Sequence, residues 1–246
     1  MVVRPDLPCG WSSPQALDPS TRELLDLYMP LCVGPRSATL VVAHLGQSAD
    51  GHTAALSSTN KFITGSADIL HNHRLRALCD VVLVGASTVE IDDPLLTTRL
   101  VSGRSPVRVV VDPNRRLQRQ YAVFRDRAAR TIVAHVAGRA PAPALPSHVE
   151  SMSVRRAGAC MDLRDLLAQL RARGLSRVFI EGGAVTIAHF LRAGLLDRLQ
   201  LAVAPLRLGP KPCPPSPAPG PGELAELCRR VRRFHLGEDV LFDGEL

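Results

Sequence analysis

What most constrains this chain is a rhythm. Short, unbroken apolar runs recur along it, each separated from the next by an amphipathic or polar segment. Val81–Val84, Val107–Val111, Thr131–Val136 and Arg177–Ile180 are rich in β-branched side chains and lack the in–out alternation of a strand with one wet face. Strands of this kind are buried on both faces, which calls for a parallel sheet sandwiched between helices. Thr39–Leu45, Leu199–Val203 and Val240–Phe242 extend the series. Between them, Ser66–Cys79 reads as a helix with Ile69, Leu70, His73, Ala77 and Leu78 roughly on one side. Asp162–Arg173 reads as a helix capped by Asp162, with Leu163, Leu166, Leu167 and Leu170 at helical spacing. Ala184–Ala193 reads as a third, closed by Gly194. The expected fold class is α/β, a mostly parallel central sheet with helices on both faces.

The flanks read differently. Residues 1–36 are expected to form an N-terminal arm and a short helix, and residues 37–246 the main domain. Pro5, Pro8, Gly10, Pro14 and Pro19 make the arm irregular. Ser20 followed by Glu23 resembles a capping box, with Ser20 as N-cap, and Pro30 with Gly34-Pro35 is expected to end that helix. Ala137–Pro146 is rich in Ala and Pro, and residues 209–222 hold seven prolines, the pattern of an extended loop.

Composition removes whole classes. At 246 residues the chain fits one large domain. Apolar runs such as Ala38–Ala43 are far too short to span a bilayer. No basic region followed by an apolar one opens the chain, so a cytoplasmic protein is expected, without a membrane partner. The net charge of +7 is carried by 28 Arg and two Lys. It fits either a phosphate-bearing partner or simply an Arg-favouring, GC-rich genome. Nucleic acid is not expected, because aromatic residues are only 4% and offer few stacking platforms. The cluster Arg229–Arg233 reads as one face of a solvated helix. Six cysteines form no Cys-x-x-Cys pair, and His71 and His73 at i,i+2 in a helix point to different faces. No metal site is expected, and the thiols read as free.

Ligands of open parallel sheets bind beyond the carboxyl ends of the strands. Three such ends carry small and polar residues. Glu181-Gly182-Gly183-Ala184 joins a strand to a helix, a geometry suited to a phosphate at a helix N-terminus and equally to a plain tight turn. Gly85-Ala86-Ser87-Thr88 ends another strand, and its hydroxyls could cap the next short helix. Asp92-Asp93-Pro94-Leu95-Leu96-Thr97-Thr98-Arg99 follows as a polar cluster. Ser48-Ala49-Asp50-Gly51 has a turn signature. There is no Gly-x-Gly-x-x-Gly, no P-loop and no Gly-x-Ser-x-Gly elbow.

In order and spacing, these segments resemble the reductase domain of bacterial riboflavin biosynthesis, a dihydrofolate-reductase-like family. The matching stretches are Ser48–Gly51, Phe62-Ile63-Thr64-Gly65, His73-x-x-Arg76, Val84-Gly85-x-x-Thr88, Asp92-Asp93-Pro94 through Arg99, Glu181-Gly182-Gly183 and Ala204-Pro205 through Gly209. The resemblance implies a dihydrofolate-reductase-like sheet and NADPH as hydride donor. It implies a phosphorylated ribosylamino-pyrimidine substrate, foremost 5-amino-6-(5-phosphoribosylamino)uracil, reduced at C1′ to the ribityl form. The undeaminated diaminopyrimidinone, or another ribosylamino heterocycle, is the alternative. By the same resemblance, Gly46, Gly85, Thr88, Asp92, Gly182, Gly183, Ala184, Val185, Thr186 and Ile187 would contact the cofactor. Asn60, Phe62, Arg76, Leu96, Arg99 and Glu181 would contact the substrate, Arg76 and Arg99 at its phosphate. Asp92 would polarise or protonate the reacting site. A homodimer is implied, with Leu199–Pro205 and Val240–Phe242 as the expected contributors. For the adenosine 2′-phosphate, Arg115, Arg116 and Arg139 are the available cations.

The chain also departs from the family pattern. His44 stands where the family often has Lys, four residues before Ser48, and could assist protonation because its charge switches near neutral pH. Phe62 replaces a Trp, and Asn60 a Ser, both on the substrate side. The His-x-Glu and Pro-Cys-x-x-Cys signature of the fused zinc deaminase is absent from these residues, so a stand-alone reductase or a paralogue is expected. A catalytically silent nucleotide-binding module would have lost the polar groups that this chain keeps.

Overall fold

Apolar runs that are buried on both faces assemble side by side in one large sheet. The computed structural model describes residues 1–3, 10–33, 38–53, 63–138, 145–209 and 216–246. A small antiparallel pair, β1 (Val2–Val3) and β2 (Trp11–Ser12), precedes α1 (Pro19–Cys32). Then come β3 (Leu40–Ser48), α2 (Ser66–Leu78), β4 (Val81–Gly85), α3 (Ala86–Asp92), β5 (Val107–Val111), α4 (Ala122–Arg125), β6 (Thr131–Val136) and β7 (Val149–Val154). A short hairpin, β8 (Arg156–Ala157) and β9 (Cys160–Met161), leads into α5 (Leu163–Ala172), β10 (Arg177–Glu181), α6 (Ala184–Arg192) and β11 (Arg198–Ala204). The chain closes with α7 (Pro221–Leu227), β12 (Arg230–Leu236) and β13 (Asp239–Glu245).

The nine-stranded sheet has the order β12-β13-β11-β3-β10-β4-β5-β6-β7. Its seven strands from β11 to β7 run parallel, and β13 and β12 add an antiparallel edge. Alternate residues separate the two faces. Val41, Ala43, Leu83, Val109, Ile132, Val178 and Ile180 pack with Leu166, Leu170, Ile187, Phe190 and Leu224 of α5, α6 and α7. Val42, Val82, Val84, Val110, Val133 and Phe179 pack with Leu31, Leu75, Val89 and Phe124 of α1 to α4. The two-sided covering expected from the apolar runs is therefore present. Because β10 inserts between β3 and β4, the carboxyl ends of those three strands are neighbours, and a site can form there.

Several local expectations are corrected. Asp18, not Ser20, caps α1: its carboxylate accepts from Thr21 N at 2.9 Å and from Ser20 Oγ at 2.6 Å. The helix runs through Pro30 to Cys32, because Leu27 and Leu31 anchor its last turns in the core. Of the set that its spacing puts on one side, helix α2 buries only His73; Asp68, His71, Leu75 and Arg76 are buried with it, because the strand residues beneath are themselves polar. Ser87 and Thr88 lie inside α3 and do not cap it; Gly85 holds the N-cap position. The arginine cluster lies not on a helix but along edge strand β12, where Arg232 donates to Asp243 at 2.9 Å. Strand β7 and helix α7 were not expected. The first carries polar residues on its exposed side, and the second starts with Pro221 inside the proline-rich stretch, where Glu223 accepts from Gly220 N at 2.9 Å. Both β11 and β13 are flanked by strands of this chain, so neither Leu199–Pro205 nor Val240–Phe242 offers a free edge for a second copy; among the described residues the outermost strands are β12 and β7. Asn60, Phe62, Arg139 and residues 210–215 of the proline-rich loop lie outside the described residues.

Candidate active site

Glycine packing forms the first half of the site. At the end of β4, a Cβ on Gly85 would lie 2.5 Å from Thr186 Oγ1. At the end of β10, a Cβ on Gly183 would lie 2.9 Å from Thr88 Oγ1. Gly182 and Gly183 take φ values of 66° and 73°, a left-handed conformation that other residues adopt only with strain. The two strand ends can thus close on each other, bringing Gly85, Thr88, Gly183 and Thr186 together. Helix α6 starts at this point with Gly183 as N-cap and no side-chain cap. Its geometry leaves the N–H groups of Ala184, Val185 and Thr186 without intrahelical partners, while Ile187 N already donates to Gly183 O. Such a helix end favours an anion. Gly46, on β3, sits against Thr64, whose Cγ2 would be 3.0 Å from an added Cβ.

The second half is a row of polar side chains in register across the sheet. Glu181 on β10 is the neighbour of His44 on β3, which is the neighbour of Gln200 on β11, which is the neighbour of Asp243 on β13. All share parity with the apolar residues that face α2. The helix answers with polar residues. Arg76 forms a bidentate pair with Glu181, its Nε at 2.7 Å from Oε2 and Nη2 on Oε1. Asp68 lies 2.9 Å from His44 Nε2. His71 Nε2 meets Gln200 Oε1 at 2.9 Å, and Nδ1 meets Tyr28 Oη at 2.7 Å.

A loop after α3 completes the rim. Asp92 is the last, exposed residue of that helix. Asp93 turns the chain with a φ of 41°, and its carboxylate accepts from Ala122 N. Leu96 is fully buried at a φ of 56°, a strained conformation held by its surroundings. The Thr97 carbonyl accepts from Arg76 Nη1 at 2.9 Å, and Arg99 N donates to His73 Nδ1 at 3.0 Å. The His-x-x-Arg motif therefore fastens the loop from one face of α2. Burial, then the guanidiniums of Arg76 and Arg99, push His73 down to about 4, which keeps it a neutral acceptor. The exposed Arg99 side chain donates to Thr97 Oγ1 at 2.7 Å.

The Ser48-x-Asp50-Gly51 motif acts as a clamp. Asp50 accepts from Ser48 Oγ at 2.6 Å, Leu208 N at 2.9 Å and Gly209 N at 2.8 Å, tying the end of β3 to the segment after β11. The Ser48 hydroxyl and these bonds hold its carboxyl far below the usual range.

The structure thus gathers Gly85, Thr88, Gly182, Gly183 and Ala184 to Ile187 in one cradle, and joins His44, Glu181, Arg76, Leu96 and Arg99 through α2. Among the 2′-phosphate candidates, Arg116 donates to Ser87 Oγ at 2.7 Å and pairs with Glu90 at 2.9 Å, beside the cradle. Arg115 turns instead to His135 and Ser151. Sequence reasoning missed Asp68, His71, Gln200 and Asp243. The signal that could have found the helix residues was the number of polar side chains, Asp68, His71, His73 and Arg76, within a helix that must cover the sheet.

The RibD C-terminal domain family model matches residues 39–242. The 2,5-diamino-6-ribosylamino-4(3H)-pyrimidinone 5′-phosphate reductase of Methanothermobacter thermautotrophicus is 32% identical over 210 residues, covering 82% of this chain and 96% of that protein. The riboflavin biosynthesis protein RibD of Mycobacterium tuberculosis is 36% identical over 166 residues, 66% of this chain and 41% of that protein. Among solved structures, the deaminase/5-amino-6-(5-phosphoribosylamino)uracil reductase of Thermotoga maritima is 25% identical with a TM-score of 0.68, covering 91% of this chain and 59% of that one. The chain therefore spans less than two thirds of the Mycobacterium and Thermotoga proteins and nearly all of the Methanothermobacter one. With the match running from β3 into β13 and taking in the cradle, the Glu181–His44–Gln200 part of the polar row and the loop between them, the chain belongs to the RibD C-terminal domain family.

Proposed function

We propose that this protein is an NADPH-dependent reductase of riboflavin biosynthesis, acting on 5-amino-6-(5-phosphoribosylamino)uracil and converting its ribosyl group to the ribityl chain. One observation carries the reading: the cradle around the open N-terminus of α6 lies at the same sheet edge as the row Glu181–His44. A dinucleotide needs close backbone approach and anion-binding N–H groups, and a phosphoribosyl substrate needs cations and paired polar groups.

The residues fit the cofactor. A Cβ at Gly85 or Gly183 would press on Thr186 or Thr88, so glycine there lets the two strand ends meet around the N-terminus of α6, while a Cβ at Gly182 would meet open space. Gly46, Gly85, Thr88, Gly182, Gly183 and Ala184 to Ile187 would hold NADPH, with Asp92 at the rim. When bound, NADPH supplies the hydride. The chain's own residues do the rest. Arg99 offers an exposed guanidinium to the substrate phosphate, while Arg76 fixes Glu181, which orients a donor group of the substrate. Leu96 supports the loop that carries these groups. Asp92 polarises the reacting sugar and handles its proton, and His44 places a positive charge below it. Orientation supplies most of the rate enhancement. Asn60 and Phe62 remain assigned to the substrate side. The protein works as a cytoplasmic homodimer, with β12 or β7 as the pairing edge; the free thiols of Cys32, Cys79, Cys160 and Cys228 suit a reducing compartment.

A second reading takes the undeaminated diaminopyrimidinone as substrate. The name of the Methanothermobacter relative, nearly all of which this chain covers, favours it. The test is NADPH oxidation followed by absorbance, with both freshly generated pyrimidines side by side and Asp92→Asn as control. The proposal requires turnover on one pyrimidine and a fall in kcat of about 100-fold or more in the control. NADPH binding without turnover on either substrate would overturn it.

A further inference from the structure

Helix α2 places a carboxylate where a sheet-covering helix ordinarily places an apolar side chain. Asp68 is 1% exposed and His44 2% exposed, and Asp68 Oδ1 lies 2.9 Å from His44 Nε2. The other carboxylate oxygen, Oδ2, accepts from Thr64 Oγ1 at 2.7 Å. Isolated, either ion would be costly at this depth; together, with a hydroxyl on the remaining oxygen, they satisfy each other. We propose that Asp68, steadied by Thr64, is a positioning residue that holds the His44 ring as an imidazolium in a fixed orientation, with Nε2 committed to the helix and Nδ1 left for the active site. The inference rests on the function proposed above and assigns a task to a residue outside the motifs that suggested it.

The surroundings agree. Nδ1 of His44 meets no hydrogen-bond partner among the described residues. The groups facing the ring are Asp68 and His71 from α2, Glu181 from β10 and Asp239 from β13. Burial opposes the charged ring, but the charge and hydrogen bond of Asp68, with Glu181 and Asp239 behind it, raise His44 above the ordinary histidine value. His71, whose ring centroid lies 5.3 Å away, is driven the other way, to about 4, by burial and by the His44 charge. Of two neighbouring buried rings, one is pushed towards its charged form and the other towards its neutral form, and the partner that breaks the symmetry is Asp68, hydrogen-bonded to His44 alone of the two. Glu181 is already paired with Arg76, so Asp68 is the carboxylate available to His44 alone.

The test uses the full chain and two readouts. The first is the histidine ring titration by NMR, assigned with His44→Gln, which needs no turnover. The second is the pH profile of kcat with NADPH. In Asp68→Asn, the His44 midpoint should move down by at least one pH unit, a tenfold loss of proton affinity. The alkaline limb of kcat should move down with it, while the Kd for NADPH changes less than twofold. Asp68→Glu should restore both in part. Thr64→Val, which removes only the hydroxyl bond, should shift both in the same direction by less, and it carries the test if Asp68→Asn does not fold. An unmoved His44 midpoint overturns the proposal. So does a midpoint that moves while the kcat limb stays in place. A protein that shows the ring shift but turns over neither pyrimidine refutes the proposed function and with it the positioning role, while a ring shift accompanied by the kcat shift supports both.

Discussion

Arg76 and Glu181, 105 residues apart in the chain, form a bidentate ion pair that joins helix α2 to the end of strand β10. The pair is largely shielded from water, and Arg76 Nη1 donates to the Thr97 carbonyl at 2.9 Å and lies 3.4 Å from His73 Nε2. Helix, strand and loop are therefore fastened through one guanidinium. Glu181→Ala leaves that cation buried without its counter-ion, and a loss of about 3 kcal/mol in unfolding free energy is expected. Arg76→Ala should cost a similar amount. A double-mutant cycle by denaturant unfolding should show strong coupling; additive losses would mean that the pair does not hold these elements together.

The cradle predicts a steric lesion. Gly85→Ala adds a methyl group 2.5 Å from Thr186 Oγ1, so the threonine or the strand end must shift. The Kd for NADPH, read by fluorescence, should rise at least tenfold, while the circular dichroism spectrum stays unchanged. Gly183→Ala should be worse, because it adds strain at a φ of 73° to the contact with Thr88.

Arg116 is the cation placed beside Ser87 at the start of α3. Arg116→Ala should raise the KM for NADPH by about tenfold, the value of one charge-assisted hydrogen bond, and leave the KM for NADH unchanged. Equal effects on the two cofactors would assign the 2′-phosphate elsewhere.

Acid should weaken the fold through two histidines. Burial pushes both His71 and His73 down to about 4 from 6.5, helped by the charge of His44 in one case and of Arg76 and Arg99 in the other. The unfolded chain binds their protons first, so stability falls as pH drops from about 6.5 towards 4. His44 has the opposite sign: its raised value gives stability that is full below 6.5 and is lost as pH rises through the folded value. Asp68, lowered, adds stability above 3.8 that is lost as pH falls through its folded value. Two histidines outweigh one, so the denaturant midpoint should be lower at pH 5 than at pH 7. His73→Asn should flatten that dependence; an unchanged slope would mean that His73 is not held neutral.

Much of the architecture was legible because burial on both faces leaves a one-dimensional signature. Val107–Val111 and Thr131–Val136 need no partner information to be read as strands, and Asp162 announces its helix through a local capping bond. Edge strands are harder, since one side faces water and the pattern dilutes; β7 and β12 were missed for that reason. The cradle glycines were also legible, because φ values above zero and close approach restrict a position to glycine whatever surrounds it.

Periodicity, caps and ordered motifs are properties of neighbours in the chain, so the buried parallel strands, helices α5 and α6 and the resemblance to the family were readable without the fold. The pairing of the polar groups was not readable in that way. That Arg76 faces Glu181, that Asp68 and not Glu181 serves His44, and that Gln200 meets His71 all depend on strand register and on where α2 lies across β10, β3 and β11. Electrostatic pairing falls steeply with distance and with exposure to water, and neither quantity exists until the chain has folded.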